Sequence, residues 1–217
     1  MDMDGFKLRI AAWSALALGI GYVVIVALYS WVGAPPSGGQ EWLSYGAGKT
    51  GAWWWILALS VATDLLYLPV AAALWALLKP VRRFAAQAGA ALLVGFVVLD
   101  LTVTWPNYAA LIRLSGQAGA AVGAADYASA VLSSRLEAFY SIGVPAAGIL
   151  LLGLAAWRGP LTRTTAVIGV ATGVAGAVAV AGPALTHALD FAVILVSVLT
   201  LVWFLVLFWD LNRRART

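Results

Sequence analysis

L-D-L-T-V-T-W-P-N-Y, residues 99–108, sits inside one of the longest apolar runs of the chain and puts an aspartate, two threonines, an asparagine and a tyrosine there. Such groups are costly at lipid depth unless they face protein or trapped water, so the strip predicts a polar inner face on a membrane-spanning helix. Outward from it, apolar runs of about 20 residues or more follow one another with short polar breaks. Of 217 residues 63% are apolar and only 10% charged, whereas about a quarter are charged in soluble domains. The fold class that follows is all-α: a polytopic membrane bundle of six transmembrane helices, one integral domain over residues 1–217.

The spans are predicted at residues 10–32, 53–78, 84–112, 136–157, 164–185 and 188–210. At about 1.5 Å per residue each crosses a hydrocarbon core of about 30 Å. Pro69, Pro106 and Pro145 mark expected kinks, because proline removes a helix hydrogen bond, and the pair Gly182-Pro183 marks the connection between the fifth and sixth spans. The run from Ile10 is longer than the about 7–15 residues of a signal-peptide core and follows acidic Asp2 and Asp4, so it reads as a retained first span. Lys7, Arg9, Lys79, Arg82, Arg83, Arg158, Arg163, Arg213, Arg214 and Arg216 fall on one side, against Lys49, Arg113 and Arg135 on the other. The positive-inside rule then makes both termini cytoplasmic. Trp31, Trp42, Trp53 to Trp55, Trp157 and Trp209 fall near the predicted interfaces, where amphipathic rings settle. Of the two longer external connections, 33–52 reads as an irregular loop with Trp42, Leu43 and Tyr45 dipping back toward the bilayer. In 114–135 a small-residue loop precedes Asp126, which is expected to cap a helix running through Tyr127 and Leu132 into the fourth span.

Several chemistries are excluded. There is no cysteine, hence no disulfide, thiolate metal site or CxxC redox chemistry. The net charge of +4 comes from small clusters beside apolar runs, which set orientation, so nucleic acid is not an expected partner. No HExxH, GxSxG or glycine-rich phosphate loop is present, and no span carries a lysine for a retinal-type Schiff base. His187 is the one histidine, and no metal or cofactor is expected. Membrane lipids are the expected surroundings. Gly169, Gly173, Ala177 and Ala181 form a stripe at four-residue intervals, and Gly143 with Ala147 begins another. Such stripes allow close backbone approach, which predicts an enclosed fifth span and offers Gly169, Gly173 and Ala177 as a face for a homo- or hetero-oligomer. Chance, in a chain this rich in alanine and glycine, is the competing explanation.

The polar groups take depths from this topology. Asp64 lies about 16 Å along the second span, near the midplane, and Asp100 about 25 Å along the third, in its outer third. Asn107, Tyr108 and Arg113 lie further out; Arg135 and Glu137 open the fourth span, His187 and Asp190 the sixth. An outward-facing polar pocket between the second, third, fourth and sixth spans accommodates them all. Ser60, Asp64 and Tyr67 share a helix face, as do Asp100, Thr104 and Asn107 or Tyr108. Asp64, Tyr67, Asp100, Thr104, Asn107, Tyr108, Arg113, Glu137, His187 and Asp190 are therefore the candidates for binding a proton or a small-molecule ligand. Each has a plainer role open to it: structural hydrogen bonds for Asp64 and Asp100, a helix-dipole position for Asp190, interfacial solvation for Arg135 and Glu137, capping for His187. Asp210, beside Asn212 and Arg213, reads as an end charge.

One resemblance bears on the middle of the chain. D-L-L-Y-L-P-V-A-A-A-L-W-A-L-L-K-P-V-R-R (residues 64–83), A-A-D-Y-A-S before the fourth span and W-R-G-P-L-T-R before a glycine-rich fifth span resemble a family of six-span bacterial integral membrane proteins catalogued as a domain of unknown function. The resemblance covers residues 50–185 and implies a six-helix architecture and a bacterial inner-membrane location, with no activity and no functional residues attached. Three functions remain in view: proton-linked or small-molecule binding in transport or sensing, an intramembrane enzyme using paired carboxylates on a lipidic substrate, and an accessory subunit of a membrane complex.

Overall fold

The computed structural model describes residues 5–33, 35–116, 123–134, 138–185 and 191–216, the side chains of 183–185 excepted. Every regular element among them is helical: α1 (Gly5–Val32), α2 (Gly39–Ala47), α3 (Thr50–Leu78), α4 (Arg83–Leu99), π1 (Asp100–Thr104), α5 (Trp105–Ser115), α6 (Ala124–Ser133), π2 (Ala138–Gly143), α7 (Val144–Ala156), α8 (Arg163–Leu185) and α9 (Ala192–Arg214). Six helical stretches are long and apolar enough to cross a membrane: α1, α3, α4 through α5, the one that ends in α7, α8 and α9. Their outer faces carry exposed Ile20, Val24, Leu65, Val94 and Val198. Apolar side chains turned outward are what lipid, rather than water, rewards.

The six stretches pack as a closed ring in chain order. α1 lies on α3, α3 on α4, α4 on α7, α7 on α8 and α8 on α9, and α9 returns to α1. Gly5 and Ala215 meet at one end of the ring, where a Cβ on Gly5 would lie 3.3 Å from the Ala215 carbonyl. Inside, Tyr67, Leu74, Leu93, Phe96, Ile149 and Phe204 form one continuous core.

Glycine sets the closest seam. A Cβ on Gly153 would lie 2.9 Å from the Val170 nitrogen, and one on Gly173 only 2.2 Å from the Leu150 Cβ. The stripe on the fifth span is thus used within the chain, against α7, and α8 has the largest buried share of the six, 50%. Of the three residues expected on an oligomer face, Gly169 and Gly173 are covered within the chain, by α7 and Trp203, and Ala177 is exposed.

Three local expectations also change. Residues 39–47 form α2, not an irregular loop, and bury Trp42 and Leu43 completely or nearly so. The connection folds because its aromatic residues find a core of their own with Trp53, Tyr108 and Leu111. Asp126 does not cap α6: Gly123, in the left-handed conformation at φ 84°, takes the N-cap position and Asp126 falls in the first turn. A carboxylate there still faces the positive end of the helix dipole. The third span, finally, is not uniform α-helix. It widens at π1, where the Trp105 N–H reaches back five residues to the Asp100 carbonyl.

The two wide turns share a cause. Pro106 follows π1 and Pro145 follows π2, each at the start of the next α-helix. A proline ring collides with the carbonyl four residues back, and a wide turn opens that space. The extra residue also re-aims the side chains around it, as wide turns do at many functional sites. Pro69, in contrast, lies inside an unbroken α3.

Candidate functional site

Asp64, on α3, is 4% exposed and Asp100, at the head of π1, is 1% exposed. Trp105 donates its indole N–H to Asp64 Oδ2 at 2.5 Å. Thr104 and Ser141 both donate to Asp100 Oδ1, at 2.8 and 2.7 Å. Ser141 belongs to π2, so the two wide turns meet through the carboxyl. Asp100 and Thr104 are four residues apart within π1, and both point inward. Asp64 lies within the field of Asp100, and the hydroxyls of Tyr22 and Tyr67 lie within the field of both carboxyls. Among the described residues, no lysine or arginine pairs with either carboxyl, and neither Asp64 Oδ1 nor Asp100 Oδ2 receives a hydrogen bond.

Tyr67 is fully buried and held edge-on between Phe96 and Phe204, at ring separations of 4.9 and 5.1 Å. That packing fixes its hydroxyl, which meets the Tyr22 hydroxyl of α1 at 2.6 Å. Beside the pair is a cavity of about 50 Å³ lined by Tyr22, Tyr67, Ser141 and, from α9, Ser197 and Thr200. Apolar Ile142, Pro145, Ala146 and Val196 complete the lining, and the size and the hydroxyl-bearing residues suit at least one water, which needs about 10–15 Å³ and two or more polar partners. Ser141 belongs to both arrangements, donating to Asp100 and lining the cavity, so the carboxyl pair and the tyrosine pair are two ends of one polar seam.

On its other flank the seam meets aromatic packing. Trp105 lies 6.0 Å from Tyr108, Tyr108 stacks on Trp53 at 6.0 Å, and Trp42 of α2 sits 5.5 Å from Trp53. Lys49 donates to the Val32 carbonyl at 2.5 Å with its ammonium 3.9 Å above the Tyr45 ring, tying the start of α3 to the end of α1.

The expected site residues thus separate into groups. Asp64, Tyr67, Asp100 and Thr104 are buried and share the seam. Asn107 accepts a hydrogen bond from the Tyr127 hydroxyl of α6 at 3.0 Å, away from the carboxyls. Tyr108 belongs to the aromatic packing, and Arg113 is exposed. Arg135, Glu137, His187 and Asp190 lie outside the described residues. Both carboxyls are buried among the described residues, with Trp105 and the aromatic residues behind it on one flank. Three partners escaped the sequence reading. The sequence reading gave no role to Trp105 or Ser141, and Tyr22 lies on a span with no other polar group near it. Asp210 was misread as well. It is buried, and its Oδ2 accepts from the Thr162 N–H and hydroxyl at 2.9 Å each and from the Thr165 hydroxyl at 2.5 Å, capping α8 from α9.

No family model matches this chain, and neither a curated protein nor a solved structure matches it.

Proposed function

We propose that this chain is a multi-pass protein of a bacterial inner membrane, with both termini cytoplasmic, and that it carries out proton-linked binding of a small polar molecule through Asp64 and Asp100. The observation that supports this reading is the pair of buried carboxyls with, among the described residues, no cation beside them and one oxygen on each free of donors. Two carboxylates sharing a low-dielectric interior repel each other, so charge balance calls for a proton or a bound cation. Tyr67 and Tyr22 orient the far end of the seam, Thr104, Ser141 and Trp105 orient the carboxyls, and the small cavity beside the tyrosines gives water a place. The placement of both termini on the cytoplasmic side draws on the basic residues at the end of the ring where the termini meet.

Infrared difference spectroscopy tests the central groups. Wild-type protein is expected to show a carboxylic C=O band that appears and disappears as pH is changed, with D64N and D100N each removing part of it. A band identical in all three folded proteins removes the reading.

A further inference from the structure

At the end of the ring where the termini meet, α8 and α9 enclose a cleft of about 650 Å³ that the carboxyl seam does not use. Val206 and the exposed ring of Trp209 are its apolar lining; Arg213, Arg216, Asn212, Thr164, Thr162 and Asp210 are its polar lining. The neighbouring charges are already committed. Asp210 gives its Oδ2 to three donors at the start of α8, and Arg214 donates to the Pro160 carbonyl. Arg213 and Arg216 have no partner among the described residues, and both are exposed.

Depth and chemistry agree on an occupant. Trp209 lies near the end of a 23-residue apolar helix, the position at which tryptophan rings settle among headgroups. Arg213 lies about 6 Å beyond it along the helix, at the depth of lipid phosphates. A cleft that is apolar on the bilayer side and bears two unpaired guanidiniums on the water side matches an anionic amphiphile, since a guanidinium grips two phosphate oxygens at once. We propose that this cleft binds the phosphodiester headgroup of an anionic membrane lipid, with Arg213 and Arg216 on the phosphate, Thr164 as a further donor, and the acyl chains against Val206 and Trp209. This rests on the membrane-spanning fold and not on the carboxyl seam, so either stands if the other fails.

The test is native mass spectrometry of the full-length protein in detergent, offered phosphatidylglycerol or phosphatidylcholine of matched chains. Phosphatidylglycerol is expected to be retained preferentially. A charged hydrogen bond in the site is worth about a tenfold change in affinity, so R216Q is expected to lose about tenfold and R213Q/R216Q to fall to the phosphatidylcholine level. R82Q/R83Q removes the same charge at the same end of the ring but outside the cleft, and is expected to leave retention unchanged. Arg216 is exposed and next to the chain end, so R216Q keeps the test open should the double variant not fold. Equal retention of the two lipids, retention unaffected in R216Q, or equal loss in R82Q/R83Q would each overturn the proposal. So would full competition by millimolar inorganic phosphate, which would make the ligand a free anion.

Discussion

A hydroxyl pair such as Tyr22 and Tyr67 is informative because each group can be removed without changing its ring. In Y22F the Tyr67 hydroxyl, fully buried, loses its partner, and the expected cost is about 0.6–2 kcal/mol, the range for hydrogen bonds between membrane helices. Y67F should cost a similar amount, and the double variant clearly less than the sum, because the second change removes a group already stranded. Reversible unfolding in mixed micelles would show it; strictly additive losses would mean that the two hydroxyls do not depend on each other. Asp210 gives a sharper case. D210A leaves the Thr162 N–H and two threonine hydroxyls without their acceptor, and a lost N-cap of this kind costs about 1–2 kcal/mol. A thermal midpoint unchanged in D210A would contradict the capping role. Composition alone could not reveal this role, since an acidic residue beside Asn212 and Arg213 is also what an ordinary solvated helix end looks like. Asp64 and Asp100 were legible because a carboxylate in an apolar run needs a reason to be there. Their donors were not, because serine, threonine and tryptophan are common in membrane helices without any such duty.

Apolar run length was enough to locate the long helices, and proline was enough to suggest where they depart from regularity. The form of the departure was not legible: a wide turn before Pro106 or Pro145 depends on what the displaced side chains meet, and those contacts are made by residues about 40 positions away. Residues 39–47 show the opposite limit. Their glycines and polar residues read as loop, yet Trp42 against Trp53 and Tyr108 gives the segment a buried face, and tertiary packing overrides propensity for so short a helix. The seam between α7 and α8 carries the clearest prediction at this scale. Leucine at Gly173 would overlap Leu150, so G173L should separate the two helices and cost about 3 kcal/mol or more through overpacking that backbone cannot relieve. Alanine at the exposed Val174 is the matched control. Loss of folded protein in G173L but not V174A, followed by size-exclusion chromatography, is the expected pattern; a folded G173L would mean that the seam is looser than described.

For the whole molecule, the ring makes a statement about distance that the order of spans does not. An even number of long helices running up and down brings α1's start and α9's end to the same end of the bundle, but only closure of α9 onto α1 puts them side by side. The chain contains no cysteine, so G5C/A215C can be oxidised without competing pairs, and an intramolecular cross-link, read as faster migration on a denaturing gel, is expected in the folded protein. Its absence under conditions where a flexible control pair reacts would argue against closure. The same arrangement bears on how the chain reaches its final form in a cell. Each long helix after the first packs on the one made just before it, so assembly can proceed hairpin by hairpin as the ribosome delivers them. Only the final step, α9 sealing against α1, joins the first and last of the six long helices. It must wait until α9 has been made, and until then the α1 surface that will receive α9 remains uncovered.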